Sequence, residues 1–340
     1  MSSPKDWLSR LLEIMTVTGQ LDVRCAYGSP WRVVYEDFQP GEIPYHVVLN
    51  GSAILEGPAS TAPVVLQAGD IVLLPHGSAH ALHDGSGRQA GPSRERSDVN
   101  VTVSENDGQG ERLDMLCGRF FVAPPHDRLA REFLPTSLVV RASASEPAGG
   151  TRARLTSLME LMRGESQGFR LGGHAMLNAL STMLFALSMR LASESDQPPT
   201  GLLGLAGHPR LAPAIAAIFN EPAFPWTAPE LAQRCNMSRA TFMRQFQHSF
   251  GRTAHDLLLA VRMSLAANAL KNPMMKTEAV AEAVGYQSVA AFRRAFTELL
   301  GMTPAQWRRT ISAPSHANER ADDEGLPLDE SPVAGYEPTE

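Results

Sequence analysis

The stretch A-V-A-E-A-V-G-Y-Q-S-V-A-A-F-R-R-A-F-T-E-L-L-G-M-T-P-A-Q-W-R-R, residues 279–309, decides how this chain is read, because its pattern has already occurred once. Ser288, Ala290, Phe292, Arg294, Phe296, Gly301 and Thr303 repeat Ser238, Ala240, Phe242, Arg244, Phe246, Gly251 and Thr253 at a constant offset of 50 residues. Such a repeat is one supersecondary unit used twice. In the first copy, Ala228 to Cys235 predicts a short helix, Asn236 and Met237 a turn, and Ser238 the cap of a second helix, its hydroxyl accepting from orphan backbone N–H groups. In the second, Glu278 to Val284 predicts the first helix, Gly285 suits its C-terminus through its freedom at positive φ, and Ser288 repeats the cap. Both second helices are expected to stop at Gly251 or Gly301.

Phe242 and Phe246, like Phe292 and Phe296, are four residues apart and share one helix face, which must be buried. Arg244 and Arg294 follow the first Phe of each pair by two positions, roughly 200° round the helix. They point away from the core, where such a helix can enter a major groove and Arg can pair bidentately with guanine O6 and N7. The plainer alternative is two amphipathic helix pairs in a bundle with solvated arginines. A bundle has no need for cap, Phe pair, Arg and Gly to recur in register.

On these residues, the stretch from about Leu205 to Thr310 resembles the DNA-binding domain of the AraC/XylS family of bacterial transcription regulators. The resemblance implies two helix-turn-helix units joined by a linker helix, here Thr253 to Lys271, stopped by Asn272 and Pro273. It implies readers in successive major grooves, about 34 Å apart on one face of the duplex. By position it assigns base contacts to Ala240, Met243 and Arg244 in the first unit, and to Ala290, Ala291 and Arg294 in the second. Small apolar groups there supply no hydrogen-bond code, while the adjacent Arg239 and Arg293 suit phosphates. Sequence preference then rests on two arginines and DNA shape. The implied partners are double-stranded promoter DNA, RNA polymerase for an activator, and a second copy in a homodimer.

Charge agrees once the chain is divided. Residues 205–313 carry +6, the tail from Pro314 carries −7 and residues 1–204 carry −5, within a net −6. The basic module is the electrostatic footprint of a nucleic-acid binder. The acidic tail, 314–340, is rich in Pro, Ser, Asp and Glu and is expected to be disordered. The 340 residues suffice for two domains with proper cores. Met1 to Arg10 has no apolar segment of a signal peptide, and Ala175 to Leu191 is read as too short to span a bilayer. With three cysteines, a cytoplasmic protein without membrane association is expected.

From Val33 to Phe121, short β-branched runs broken by Gly and Pro predict a small all-β barrel. G-D-I-V-L-L-P-H-G-S-A-H, residues 69–80, resembles the second signature of the cupin fold; Tyr45-His46-Val47-Val48 leading to Gly51 resembles a reduced first signature. AraC relatives carry such a sensor ahead of the reader. The expected fold is therefore α+β and multidomain: a cupin-like sensor over 1–140, a helical connector with possible dimerisation over 151–192, and an all-α double helix-turn-helix domain over 205–311. His46, His76, His80 and His83 are candidate ligands for a divalent metal, against the alternative that they serve the core or the surface. Cys25 and Cys117 offer a second sensor. Their setting resembles cupin-type AraC activators that respond to reactive chlorine species; such chemistry requires an accessible thiolate, which Arg24 or Arg119 is expected to favour. The alternative is two inert buried thiols. Cys235 is read as a packing residue.

Leu177, Leu180, Leu184, Leu187 and Leu191 recur at helical spacing, so Ala175 to Leu191 is a candidate dimer surface, or else packs on the chain's own barrel. Ser193 to Thr200 is read as a linker, and Gly85 to Gly110 as a mobile loop outside the sensor. The sequence reading is a DNA-binding transcription regulator. Its rivals are a cupin-type metal-dependent enzyme with a DNA-binding appendage and a structural DNA-binding protein.

Overall fold

Leu8, Leu11, Ile14 and Met15 fall on one face of the first helix, α1 (Trp7–Met15), whose N-terminus Asp6 caps by accepting from the Ser9 N–H at 2.9 Å. The computed structural model describes residues 6–312 apart from 58–61, 99, 143–149, 169, 197 and 200. The acidic tail expected from Pro314 onward lies outside the described residues.

After α1 the chain turns to strands: β1 (Val17–Gly28), β2 (Arg32–Tyr35), β3 (Glu42–Asn50), β4 (Ser52–Glu56), β5 (Val64–Gln67), β6 (Asp70–Leu73), β7 (His80–His83), β8 (Ser93–Ser97), β9 (Thr102–Asn106) and β10 (Arg112–Val122). Helix α2 (Asp127–Phe133) and β11 (Leu138–Arg141) complete this part. The strands form a seven-stranded sheet, β11-β6-β3-β10-β1-β9-β8, and a four-stranded sheet, β2-β7-β4-β5. Cys25, Tyr27, Trp31, Val48, Leu66, Val72, Leu82 and Met115 fill one apolar cluster of the strand region.

Two expectations need correction here. The β region begins at Val17 and not at Val33, so Cys25 sits within the twelve-residue strand β1, between β10 and β9. Gly85 to Gly110 is no simple loop, for it contains β8 and β9, and β9 runs parallel to β1 with Ser104 opposite Cys25. Its charged residues had argued for a loop, but Arg94 and Arg96 belong to an exposed edge strand, where charge discourages further pairing.

Helices α3 (Thr151–Glu165) and α4 (Gly173–Ser193) follow. Helix α4 lies on the large sheet: Phe120 stacks on Tyr45 at 4.5 Å and meets Phe185 of α4 edge-on at 5.0 Å. Gly19 permits this approach, since a Cβ there would stand 2.5 Å from the Thr182 nitrogen. Leu177, Leu184, Leu187 and Leu191 are buried and Leu180 half-buried, so the apolar stripe read as a candidate dimer surface is spent inside the chain. The helix has 21 residues and is, by length and composition, apolar enough to cross a membrane, contrary to the sequence reading. Half of its apolar window is buried against the protein, as in a core helix.

The remaining elements are helical: α5 (Leu202–Ala206), α6 (Ala212–Asn220), α7 (Ala228–Arg234), α8 (Arg239–Phe250), α9 (Ala254–Ala269), α10 (Thr277–Ala283), α11 (Val289–Leu300) and α12 (Pro304–Ser312). Leu231, Ala232, Phe242, Phe246 and Phe250 of the first unit join one apolar cluster with Phe120, Phe133 and Phe185. Val280, Ala281, Phe292, Phe296, Leu300 and Trp307 of the second unit form a separate cluster. Helix α9 serves both, with Leu257, Leu258 and Val261 in the first and Met263, Ala266 and Ala267 in the second.

Candidate nucleic-acid interface and sensor site

Each reading helix starts as its sequence requires. Ser238 accepts from the Thr241 N–H at 3.2 Å and Ser288 from the Ala291 N–H at 3.4 Å, and both helices end on a left-handed glycine, Gly251 or Gly301. With both Phe pairs buried, α8 turns Arg239, Ala240, Met243 and Arg244 to solvent. Helix α11 likewise exposes Ala290, Arg293 and Arg294, with Ala291 half-buried. Arg293 approaches Glu278 at 3.8 Å, both well exposed. The capping box of α9, Thr253 with Asp256, fixes where the linker helix begins, and its 16 residues span about 24 Å at 1.5 Å per residue.

The two units differ in one respect that the repeat conceals. The turn-closing hydrogen bonds run from Met237 to the Ala232 carbonyl and from Tyr286 to the Ala281 carbonyl, and the left-handed turn residues are Asn236 and Gly285. First helices and turns therefore correspond at an offset of 49 residues, whereas reading helices correspond at 50. Gln287 is the extra residue in the second turn. The clue lay in the buried pairs, since Leu231-Ala232 matches Val280-Ala281 only at the shorter offset.

In the strand domain, register brings together what the sequence keeps apart. Cys25 faces Met115 across β1 and β10, so Cys117 is its diagonal neighbour, and the two sulfurs lie 3.9 Å apart. Both thiols are free and buried. Cys117 is paired with His46 across β10 and β3, and its Sγ lies 3.0 Å from His46 Nδ1. His46 Nε2 lies 2.7 Å from His80 Nε2, and His80 Nδ1 donates to the Ser78 carbonyl at 2.9 Å. Tyr35, opposite His80 in the β2–β7 pair, stacks on that imidazole at 4.8 Å. The line of groups thus bridges the two sheets.

Burial and the neighbouring His80 hold the His46 pKa well below the usual imidazole value, and burial lowers His80 as well. Burial drives the Cys117 thiol well up. The arginines expected to favour a thiolate are committed elsewhere. Arg24 holds Asp114 through two bonds of 2.8 Å, and Arg119 bridges Asp22 and Glu42 at 2.9 and 3.1 Å. The nitrogen facing Cys117 belongs instead to His46.

Of the four candidate metal ligands, His46 and His80 meet, while His76 and His83 stand apart. His76 Nε2 donates to the Leu134 carbonyl at 3.1 Å, and His83 lies 3.2 Å from Glu56. His46 spends both ring nitrogens on Cys117 and His80. Among the described residues, no three His, Cys, Asp or Glu side chains form a group able to hold a metal ion, so this donor set does not fit a cupin metal. Cys235, as expected, is a buried packing residue.

Strand β10, which carries Cys117, runs on through Pro124 and Pro125 into α2, and α2 touches both reading units. Phe133 stacks on Phe250 at 5.2 Å and Glu132 accepts from Arg252 at 3.0 Å in the first unit; Arg128 donates to the Leu299 carbonyl in the second. His126 Nε2 donates to Asn268 of α9 at 2.9 Å, and Asn268 donates to the Ile14 carbonyl at 3.0 Å. None of these contacts was read from the sequence, because none lies within a repeat or motif.

Residues 6–194 match the family described as Cupin, and residues 231–310 match the one described as Helix-turn-helix domain. The chain is 28% identical over 306 residues, 90% of its length and 98% of the relative's, to the RCS-specific HTH-type transcriptional activator RclR of Escherichia coli. It is 28% identical over 307 residues, 89% of its length and 98% of the relative's, to the HTH-type transcriptional regulator MtrA of Neisseria gonorrhoeae. Among solved structures, ToxT of Vibrio cholerae aligns with 87% of this chain and 98% of its own at 11% identity, with a TM-score of 0.34.

Proposed function

Because this chain belongs to the AraC/XylS-type transcription regulators with an N-terminal cupin domain, we propose that it activates transcription in response to an oxidant that joins Cys25 to Cys117. The observation that carries the proposal is the 3.9 Å approach of two free thiols on neighbouring strands, buried and facing each other. A small closing movement brings them to bonding distance, about 2.05 Å. One thiol is oxidised first and the other resolves it, as a disulfide sensor requires. The named activity of RclR, specific for reactive chlorine species, supports hypochlorous acid as the oxidant class.

On the output side, Arg244 and Arg294 read guanine edges, Arg239 and Arg293 hold phosphates, and Ala240, Met243, Ala290 and Ala291 lie against the groove floor. The partners are promoter DNA and, for an activator, RNA polymerase. The setting is the cytoplasm, where the thiol pool would reset the disulfide. For the oxidation to signal, the disulfide must favour one arrangement of the two readers over another. Helix α2, continuous with the Cys117 strand, supplies the route to both. A metal is not part of this reading, since among the described residues no three donor side chains are disposed to hold one.

The test uses full-length protein and a site selected from random DNA. Hypochlorous acid and a metal chelator are applied separately and operator affinity is measured at fixed salt. Response to the oxidant alone, lost in Cys25→Ser, is expected; response to the chelator alone would replace the thiols with a metal. Arg294→Ala should weaken cognate binding by about 1 to 3 kcal/mol and relax one base preference. Equal losses on cognate and random DNA would reduce it to a phosphate contact.

A further inference from the structure

The hydrogen bonds beyond Cys117 have only one consistent direction when all groups are neutral. The Ser78 carbonyl can only accept, so the proton of His80 is on Nδ1, 2.9 Å away. His80 Nε2 is then bare and can only accept, which places the proton of His46 on its Nε2, at 2.7 Å. His46 Nδ1 is then bare as well. The proton in its 3.0 Å contact with Cys117 is therefore the thiol's own. A single carbonyl thus fixes three bonds in sequence, and all of them point from Cys117 toward Ser78.

We propose that His46 is the base that removes the Cys117 proton during oxidation, and that His80 is a positioning residue that holds His46 in the tautomer able to do so. This rests on the oxidant-sensing reading and names the chemistry within it. Burial keeps both imidazoles uncharged and so leaves His46 Nδ1 bare to accept; the same burial makes it a weak base, which takes the proton only while the sulfur is being oxidised. As the Cys117 S–H bond breaks, its proton passes to His46 Nδ1, and the Nε2 proton of His46 passes to His80 Nε2. The charge passes to His80, whose Nδ1–H is bonded to the Ser78 carbonyl, and is discharged when the proton returns along the same two bonds. The thiolate attacks the chlorine of hypochlorous acid: the S–Cl bond forms, the O–Cl bond breaks, and the departing hydroxide takes the relayed proton and leaves as water. Sulfur loses two electrons and chlorine gains them. Cys25 Sγ, 3.9 Å away, then attacks Cys117 Sγ, and the products are the disulfide, chloride and the Cys25 proton.

Two measurements on the full-length, chelator-treated protein decide the matter. In wild-type protein labelled with ¹⁵N-histidine, the reduced state should show His46 as the Nε2–H tautomer and His80 as the Nδ1–H tautomer. The reverse assignment for either, or a stoichiometric metal held by both rings, overturns the proposal without recourse to any variant. In rapid-quench oxidation with limiting hypochlorous acid, His46→Gln should slow oxidation of Cys117 by about tenfold or more, with His80→Gln slowed less. Cys25→Ser should keep the wild-type first step and fail to form the disulfide. If wild-type protein forms no Cys25–Cys117 disulfide, the sensing reading itself falls. If it does, and His46→Gln oxidises at the wild-type rate, only the relay falls.

Discussion

The first helix-turn-helix unit buries Phe242, Phe246 and Phe250 in the same apolar cluster as Phe120 and Phe133 of the sensor, whereas the second buries Phe292, Phe296 and Trp307 in a cluster of its own. Two copies of one sequence pattern are thus anchored differently. A shift in the sensor reaches the first reader through close-packed side chains, which transmit displacement because interiors are dense. It reaches the second through α9 and a polar contact, Arg128 to the Leu299 carbonyl. On the oxidant-sensing proposal, the output is a change in the placement of one reader relative to the other, with α9 as the shared beam.

Removing the aromatic joint should break this asymmetry most strongly. Phe133 is buried and stacks on Phe250, so Phe133→Ala should cost about 3 to 5 kcal/mol, the usual loss for a buried ring. Hydrogen exchange should quicken in α8 and leave α11 near its wild-type protection. Equal loosening of both helices would show that the units share one support after all.

The converse test addresses the second unit. Gly285 lies at φ +85°, and a Cβ there would come within 2.3 Å of the Ala223 carbonyl oxygen, a backbone atom that cannot swing aside. Gly285→Val should destabilise that unit by about 2 kcal/mol or more. Protection should fall in α10 and α11 while the Cys25–Cys117 pair still oxidises normally. Loss of thiol oxidation would mean that the second unit is coupled to the sensor more tightly than its separate core implies.

How much of this was legible in the sequence follows from what each feature depends on. The caps at Ser238 and Ser288, the buried Phe pairs and the outward arginines follow from local periodicity, and the structure reproduces them. The one-residue difference between the turns stayed hidden because the identical residues lie in the reading helices. Strand β1 was missed because Val17 to Gly28 mixes polar and apolar residues, its faces being set by a bulge near Asp22 and by different neighbours on either side. The contact of His46 with Cys117 depends on strand register across 71 residues, which no local pattern encodes. His46, His80 and the two cysteines were legible as candidates; their arrangement as a line was not.

A smaller effect lies at the boundary between sensor and linker helix. His126 is fully buried, donates from Nε2 to Asn268, and has a buried Nδ1 without a hydrogen-bond partner, so burial lowers its pKa. The unfolded chain takes up a proton near pH 6.5 before the folded one does. Stability therefore rises with pH through that window and declines on acidification. His126→Gln, which can still donate to Asn268, should reduce the loss of melting temperature between about pH 7.5 and about pH 5.5. An unchanged slope would assign the acid sensitivity to His46 and His80 in the sensor core.

The least should come from the ion pair that also spans sensor and first unit. Glu132 and Arg252 meet at 3.0 Å, but their side chains remain 32% and 46% exposed, so solvent and salt screen the attraction. Glu132→Ala should change stability by less than about 1 kcal/mol, and high salt should erase even that. The guanidinium of Arg252 also lies 5.7 Å from the Phe133 ring centre, a contact that survives the substitution. If Glu132→Ala instead approached the cost of Phe133→Ala, the junction would be held by charge and not by packing. The contrast between the two readers would then persist at low salt and vanish at high salt.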